Sequence, residues 1–528
     1  MNLTLPNDPI LSLSDAKEFE ETYFSTCLDT DHQWEVMTRA GEAVADSALR
    51  DMRELRTIPH RPRLLVLVGK GHNGADSLIA AKRFLRTIPT SRAVIWPWAP
   101  KEDCRDLTQR AFEELIEFAT NRIEILSPAC QMTDEKISET FLKTTQDRGF
   151  DLAIDGLLGL QGRVKLDYPM KQWIELINQT TKISVRVAVD LPSGIGEVVS
   201  SEMHPFRADF TYCTGLVKTP VIDNGNQPWV GRLRYLDLGF FENAQVSEYE
   251  GFSKVLRPSA LPVLRQLRPV QCDKRDFGHL LVLAGSSTYA GAAMMTVKGA
   301  LRSGVGLVTC CVPQSIHNAM VASCPEAMWV PMPETLDGAL ALEGLGKARR
   351  YLERVDALVA GPGIGSERES HALIREVCQL FNGPMLLDAD ALRPEIITPL
   401  KSLRNIVLTP HDGELERLSG ALGGDAFISS FPGVLLRKGA HPIVHFCNEQ
   451  LHLFSGSSLL ARGGSGDLLS GIVGSLIARG GRSLIDSVAL GTLWHGRAAE
   501  ALSRQHGQEA VTTTQILDYL SFALRNDF

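Results

Sequence analysis

ARGGSGDLLSGIVGSL, residues 461–476, sets a Gly-Gly-Ser-Gly turn directly ahead of an apolar helix and puts a carboxylate, Asp467, on that helix's first turn. Small residues let a main chain approach an anion closely, the free amides of a helix start point at it, and the helix dipole adds attraction. A carboxylate beside bound phosphate is repelled by it. Asp467 therefore reads as a base that takes a proton from a hydroxyl about to receive a phosphoryl group. Taken alone, the stretch reads better as a capped helix with a glycine-rich lead-in. Its surroundings decide between the two.

Apolar runs of strand length alternate with helical patterns along the whole chain: LLVLV (64–68), AVIW (93–96), DLAID (151–155), VRVAVDL (185–191), LLVLAG (280–285), GLVTCCVP (306–313), ALVAGPG (357–363), MLLDAD (385–390), NIVLTP (405–410) and VLLRKGA (434–440). Such runs are apolar throughout rather than alternating, which predicts sheets covered on both faces and mostly parallel strands, an α/β architecture. The pattern restarts once. After RLRYLDLGF (232–240) comes a stretch with little apolar periodicity and three prolines, which predicts a boundary near 242–255 and two domains, 1–245 and 246–528. A length of 528 residues also exceeds what one hydrophobic core organises.

A formal charge of −8, with 44% hydrophobic and 22% charged residues, indicates a mildly acidic globular protein without the basic footprint of a nucleic-acid binder. Anions must then be held by local geometry. The ten cysteines include no CxxC pair, so neither a zinc site nor a disulfide framework is expected, and a reducing, cytoplasmic setting fits. The first residues, MNLTLPNDPILSLSDAKEFEE, carry acids where a secretory signal has a basic start, and no run is long and apolar enough for a membrane span.

In the first half, RPRLLVLVGKGHNGADSLIAAKRFL (61–85) reads as strand, glycine turn and helix, with Gly69, Gly71 and Gly74 matching GxGxxG. A dinucleotide-binding unit also needs an acid at the end of the next strand, about 20 residues on. Here that strand ends in Trp96, Pro97 and Trp98, so the dehydrogenase reading loses ground. Asp155 and Asp190 close two further strands, and with Asn73, Ser193 and Gly194 they make an oxygen-rich set suited to a cation and to proton transfer. In the second half, Gly291 and Ala292 open a helix, Gly361, Gly363 and Gly365 follow a strand, and Asp388, Asp390, His411, Glu414 and Lys438 stand at strand ends upstream of Gly466 and Asp467. Ligands of open α/β sheets bind at that edge.

These motifs, in their order, resemble a known family. WEVMTRAG (34–41), VGKGHNGADS (68–77), DGLLG (155–159), VAVDLPSGI (187–195) and ADFTYCTGLVKTP (208–220) resemble the YjeF N-terminal domain, the NAD(P)H-hydrate epimerase. The resemblance implies a Rossmann-like three-layer α/β/α fold and a potassium ion on Asn73, Asp155 and Ser193. It also implies hydrate contacts from His72, Asn73, Gly74, Ala75, Asp76, the loop Gly159, Leu160, Gln161, Gly162, Arg163, Val164 and Lys165, and Asp190. The usual glycine loop is nearer GNNGGDG, so His72, Ala75 and Ser77 depart from it, and the side chains added at positions normally glycine, Ala75 and Ser77, are expected to narrow the approach to a pyrophosphate. Asp155 or Asp190 is the expected acid or base of the epimerase, with nothing in the sequence to choose between them.

GHLLVLAGSSTYAGA, GPGIG, DADAL, TPHDGE, RKGA and GGSGD likewise resemble the YjeF C-terminal domain, the ADP- or ATP-dependent NAD(P)H-hydrate dehydratase, whose fold is ribokinase-like. The resemblance implies hydrate contacts from Ala292, Gly363, His411 and Asp467. The nucleotide cradle would be Lys438, Gly439, Ala440, His441, Pro442 and Gly466, with Mg2+ accompanying the nucleotide. Arg462 adds a charge placed to meet a phosphate. The expected protein is a bifunctional repair enzyme: it epimerises the R and S hydrates of NADH and NADPH and dehydrates the S form while ADP becomes AMP and phosphate. Its expected partners are these small molecules and further copies of itself. The competing reading is a small-molecule kinase carrying a non-catalytic N-terminal binding module.

Overall fold

Alternate residues of each strand enter different cores, and this fixes the layers. In the strand Arg63–Val68, Leu64, Val66 and Val68 pack with Trp34, Leu78 and Phe112, whereas Leu65 and Leu67 pack with Phe141 and Trp173 on the other face. A sheet apolar on both faces needs helices on both. The computed structural model describes residues 3–25, 30–159, 166, 168–199, 204–242 and 253–526. Among these, residues 8–242 form one unit, and residues 3–7 with 253–526 form the other.

The first unit is built on a seven-stranded, wholly parallel sheet in the order Ile123–Ile125, Arg92–Pro97, Arg63–Val68, Leu152–Gly156, Arg186–Val189, Phe210–Thr214, Arg232–Leu236. The chain runs outward in one direction from Arg63–Val68 and then in the other from Leu152–Gly156. Between these two strands lies the switch point at which such sheets bind ligands. Gly69 sits in it. Its amide donates to the Gly156 carbonyl at 3.0 Å, and a Cβ there would lie 1.8 Å from the Leu157 carbonyl oxygen, so only glycine fits.

In the second unit seven parallel strands run in the order Met328–Met332, Leu307–Pro313, His279–Leu283, Ala357–Ala360, Met385–Leu387, Ile406–Leu408, Val434–Arg437. The sheet then turns antiparallel through Ile443–Phe446 and Glu449–His452, and Ser253–Leu256 joins it parallel to the latter. The switch point falls between His279–Leu283 and Ala357–Ala360. The helix Ser465–Arg479 lies over the centre of the sheet, where a Cβ on Gly474 would touch Val359 at 2.4 Å. It packs equally closely on the helix Ala290–Arg302: a Cβ on Gly471 would lie 2.0 Å from the Thr296 carbonyl oxygen, and one on Gly299 would lie 2.5 Å from that of Leu468. These glycines bring the two helix starts to one strand edge.

Residues 3–7 belong to the second unit, not to the 1–245 domain expected of them. Leu5 is 5% exposed in its core, and Thr4 donates its amide (3.0 Å) and hydroxyl (2.7 Å) to Asp486. All ten apolar runs form strands, because full burial on two faces is what their composition encodes.

Candidate active sites

The helix His72–Thr87 follows the first strand of the first unit and is capped by Gly71. Beside its start lies a cavity of about 340 Å³ lined by Gly71, His72, Asn73, Asp76, Gly159, Asp190 and Lys218, with Lys17, Glu20 and Arg105 among its charged groups. Gly74 and Ala75 lie beneath it: Ala75 is 0% exposed in the hydrophobic core, and Ser77 is buried with its hydroxyl donated to the Gly74 carbonyl at 2.8 Å. The expected narrowing at Ala75 and Ser77 therefore does not arise, because both side chains face away from the cavity. His72 does reach it. Its Nε2 is 3.5 Å from the Arg105 guanidinium, and burial followed by that charge lowers its pKa. Leu160, Gln161, Gly162, Arg163, Val164 and Lys165 lie outside the described residues.

Asp155 and Asp190, alike in sequence, differ in place. Asp155 is fully buried and does not line the cavity; its carboxyl accepts from the Ser193 amide (2.8 Å), the Ser193 hydroxyl (2.7 Å) and the Leu157 amide (3.2 Å). Burial raises its pKa to about 6 against these bonds. Asn73 donates to the Leu158 carbonyl at 3.1 Å and the Val189 carbonyl at 2.9 Å, with its Oδ1 against Gly159. Asn73, Asp155 and Ser193 are thus drawn together with two backbone carbonyls. Asp190, at a left-handed φ of 67°, faces the cavity instead and is ion-paired with Lys218.

Lys218 and Glu20 are among the charged cavity residues that escaped the sequence reading. Lys218 lay inside a quoted motif but had no visible partner, and Glu20 lies on the helix Leu13–Ser25, where it looks like one of several surface acids. Burial pushes Glu20 up to about 7, with Lys218 opposing and Asp190 reinforcing. Burial, then Asp190 and Glu20, holds Asp76 well above the usual carboxylate range.

At the second unit's strand edge, Lys438 Nζ lies 2.6 Å from Asp388 Oδ1 and 3.9 Å from Glu414 Oε2. The Ser470 hydroxyl donates to Asp388 Oδ2 at 2.6 Å. Burial would raise the Asp388 pKa, but Lys438, Ser470 and Thr409 together lower it; burial would lower that of Lys438, but Asp388 and Glu414 raise it. Gly466 stands directly over this pair: a Cβ there would lie 3.5 Å from Lys438 Nζ and 3.9 Å from Asp388 Oδ2. Asp467 is next in the chain and half-buried, and burial followed by Asp388 pushes its carboxyl up to about 6 while Lys438 opposes. Gly464, at φ 86°, caps the helix, and any side chain on it would strike the Met295 sulfur at 2.1 Å.

The other expected residues lie around this centre. A Cβ on Gly363, itself at φ 64°, would meet the Ala292 methyl at 2.7 Å, so the two glycine-rich loops touch there. His411 caps the helix Asp412–Leu422, its Nδ1 accepting from the Glu414 amide at 3.3 Å, and it bridges in parallel to Lys438. Gly439 and Ala440 are exposed beyond Lys438, and the His441 ring is set edge-on to Phe454. Arg462 is the exception to the sequence reading. Its guanidinium donates to the carbonyls of Val511 (2.7 Å), Gln508 (2.6 Å) and Glu509 (3.1 Å), so it braces a neighbouring loop. Among the described residues, no group of three or more His, Cys, Asp and Glu side chains is arranged to hold a metal ion. No helix among them is long and apolar enough to cross a membrane.

Fold and sites together define a two-unit α/β protein with a cavity ringed by ionisable groups at the first unit's switch point and, at the second unit's strand edge, a glycine-rich helix start seated over the Lys438–Asp388 pair. The family models described as YjeF-related protein N-terminus and NAD(P)H-hydrate dehydratase match residues 33–220 and 280–521. The bifunctional NAD(P)H-hydrate repair enzyme Nnr of Gloeobacter violaceus is 33% identical over 469 residues, covering 84% of this chain and 85% of that protein. Its namesake from Moorella thermoacetica is 29% identical over 510 residues, covering 93% and 92%. That from Synechocystis is 30% identical over 485 residues, covering 88% and 86%. The chain belongs to the family of bifunctional NAD(P)H-hydrate repair enzymes.

Proposed function

We propose that this protein repairs hydrated NADH and NADPH in two steps, epimerising the C6 carbinol in the first unit and dehydrating the S epimer at the cost of ADP in the second. The observation that carries the dehydratase is the seating of Gly466 and Asp467 over the Lys438–Asp388 pair. Hydroxide leaves poorly. Asp467 takes the proton of the C6 hydroxyl as that oxygen attacks the terminal phosphorus of ADP, and the amides at Gly464 to Gly466 stabilise the moving negative charge. AMP departs, the ring nitrogen's lone pair expels phosphate from C6, and loss of the C5 proton restores the 5,6 double bond. Lys438 stays cationic throughout, held by Asp388, and Gly439 to Pro442 flank the nucleotide. Ala292, Gly363 and His411 border the hydrate. Mg2+ comes in with the nucleotide.

In the first unit Asp190 carries proton transfer, since it faces the cavity and Asp155 does not. Asp155, Asn73 Oδ1 and Ser193 Oγ offer only oxygen donors, which fits a hard monovalent cation such as potassium. When bound, that ion offsets the buried Asp155 charge and attracts the hydrate's diphosphate. Arg105 and His72 stand where that diphosphate would enter. A reducing, cytoplasmic setting is part of this reading, in keeping with ten cysteines that include no CxxC pair. Assembly into several copies is part of this reading, supported by the complete exposure of Leu267 and Val270.

Incubation with a mixture of R and S NADH hydrates and ADP tests both activities through the returning absorbance of the reduced nicotinamide. Full recovery is expected. No recovery with ADP or ATP overturns the dehydratase assignment, and recovery that halts at the S fraction overturns the epimerase.

A further inference from the structure

The helix Leu13–Ser25 precedes the residues matched by the N-terminal family model, 33–220, yet it sends a carboxyl into the epimerase cavity. Glu20 Oε1 stands 3.8 Å from Nζ of Lys218, the same ammonium that binds Asp190. The Lys218 side chain is 2% exposed, so its one charge serves two carboxyls with little help from water. Asp76 lines the same cavity and is 8% exposed, with its Oδ1 buried and lacking a hydrogen-bond partner. Three carboxyls thus face one buried ammonium. Such a set holds protons, because each further negative charge in a desolvated pocket raises the cost of the next. Arg105, His72, Lys17 and Glu21 complete the charged and titratable groups around it.

We infer that Glu20 is a catalytic proton donor and acceptor of the epimerase, working opposite Asp190 on the C6 hemiaminal of the hydrate. The inference rests on the epimerase reading given above. C6 carries both the hydroxyl and ring nitrogen N1. Asp190 takes the hydroxyl proton, the O–H electron pair becomes the second bond of a C6 carbonyl, and the C6–N1 bond breaks with its pair going to N1. N1 takes the proton of Glu20. The open-chain aldehyde turns about its C5–C6 bond and presents its other face. N1 then attacks, returning its proton to Glu20, while the carbonyl oxygen recovers a proton from Asp190. Nothing is consumed, and both carboxyls end as they began. A group poised at about 7 gives and takes a proton with equal ease, as a freely reversible step requires.

The test uses the full chain with excess ADP and mixed hydrates, so that S-hydrate dehydration appears as a fast phase and epimerisation of R as a slow one. Glu20→Gln is expected to slow the second phase by about 100-fold or more with the first unchanged. Glu20→Asp is expected to restore part of the second phase and to move its alkaline limb, which in the parent protein falls above about pH 7 as Glu20 loses its proton. A slow phase in Glu20→Gln within twofold of the parent rate overturns the inference, as does an unmoved limb in Glu20→Asp. Should Glu20→Gln fail to fold, the Glu20→Asp limb decides. If the parent protein's slow phase is no faster than spontaneous epimerisation, it is the epimerase reading that fails, by a different result.

Discussion

Replacing Asp467 by Asn tests the phosphoryl-transfer turn at the atom that matters. Burial and Asp388 raise this carboxyl from an ordinary 3.8 to about 6, so it is mostly ionised at pH 7 and about a hundredfold stronger as a base than an exposed carboxylate. Loss of a positioned base costs about 10²–10⁴ in rate, or about 3–5 kcal/mol of barrier. Asn also removes a negative charge beside the phosphates. At an effective dielectric constant near 20 and about 8 Å, that repulsion is about 2 kcal/mol before screening by salt. The variant should therefore lose kcat while binding ADP as tightly as the parent or more so. The assay is recovery of reduced-nicotinamide absorbance from S hydrate across pH 4.5–8. The parent rate should be half-maximal near pH 6 and fall about tenfold per unit below it, because protonation removes the base. The residual rate of Asp467→Asn should show no such limb. A variant with more than half the parent kcat, or one that keeps the limb, would refute the base assignment.

Other expectations follow from the same unit. Arg462→Ala should cost about 2 kcal/mol of stability and lower kcat with KM for ADP unchanged, because the guanidinium braces backbone carbonyls at 508–511; a raised KM with an unchanged Tm would mean that it meets the phosphate after all. Burial holds His445 and His495 at about 4 and His452 at about 3, below their ordinary 6.5. The unfolded chain binds protons from pH 6.5 downward and the folded one does not, so stability is complete above 6.5 and drains as pH falls towards 4, by about 2 kcal/mol per histidine at pH 5. Thermal melts at pH 7.5 and 5 measure this. His495→Leu, which removes a buried Nε2 without a partner, should narrow the gap between them.

Strands that are apolar on both faces announce themselves, and each of the ten runs lies where its composition puts it. The antiparallel pair Ile443–Phe446 and Glu449–His452 was hidden, because its histidines, Gln450 and Glu449 break the apolar run. Residues acting on their own motif, such as Gly466 beside Lys438, were legible from order along the chain. Residues acting across the fold were not. Glu20 and Lys218 meet only because a helix near the chain start folds over a strand edge near residue 218, and neither carries local composition that says so. Arg462 misled for the opposite reason: a cation beside a phosphate turn invites pairing, while the carbonyls of 508–511 that claim it lie in a segment with no motif.

Thr4 and Leu5 have a bearing on synthesis. Asp486, the partner of Thr4, lies 482 residues further along the chain, so during synthesis Thr4 and Leu5 wait, unpaired, while all the intervening residues are made. A fragment begun at the second unit's own first strand, Ser253–Leu256, would leave Asp486 without the two donors that Thr4 supplies. Dissecting this enzyme into halves therefore calls for a graft as well as a cut.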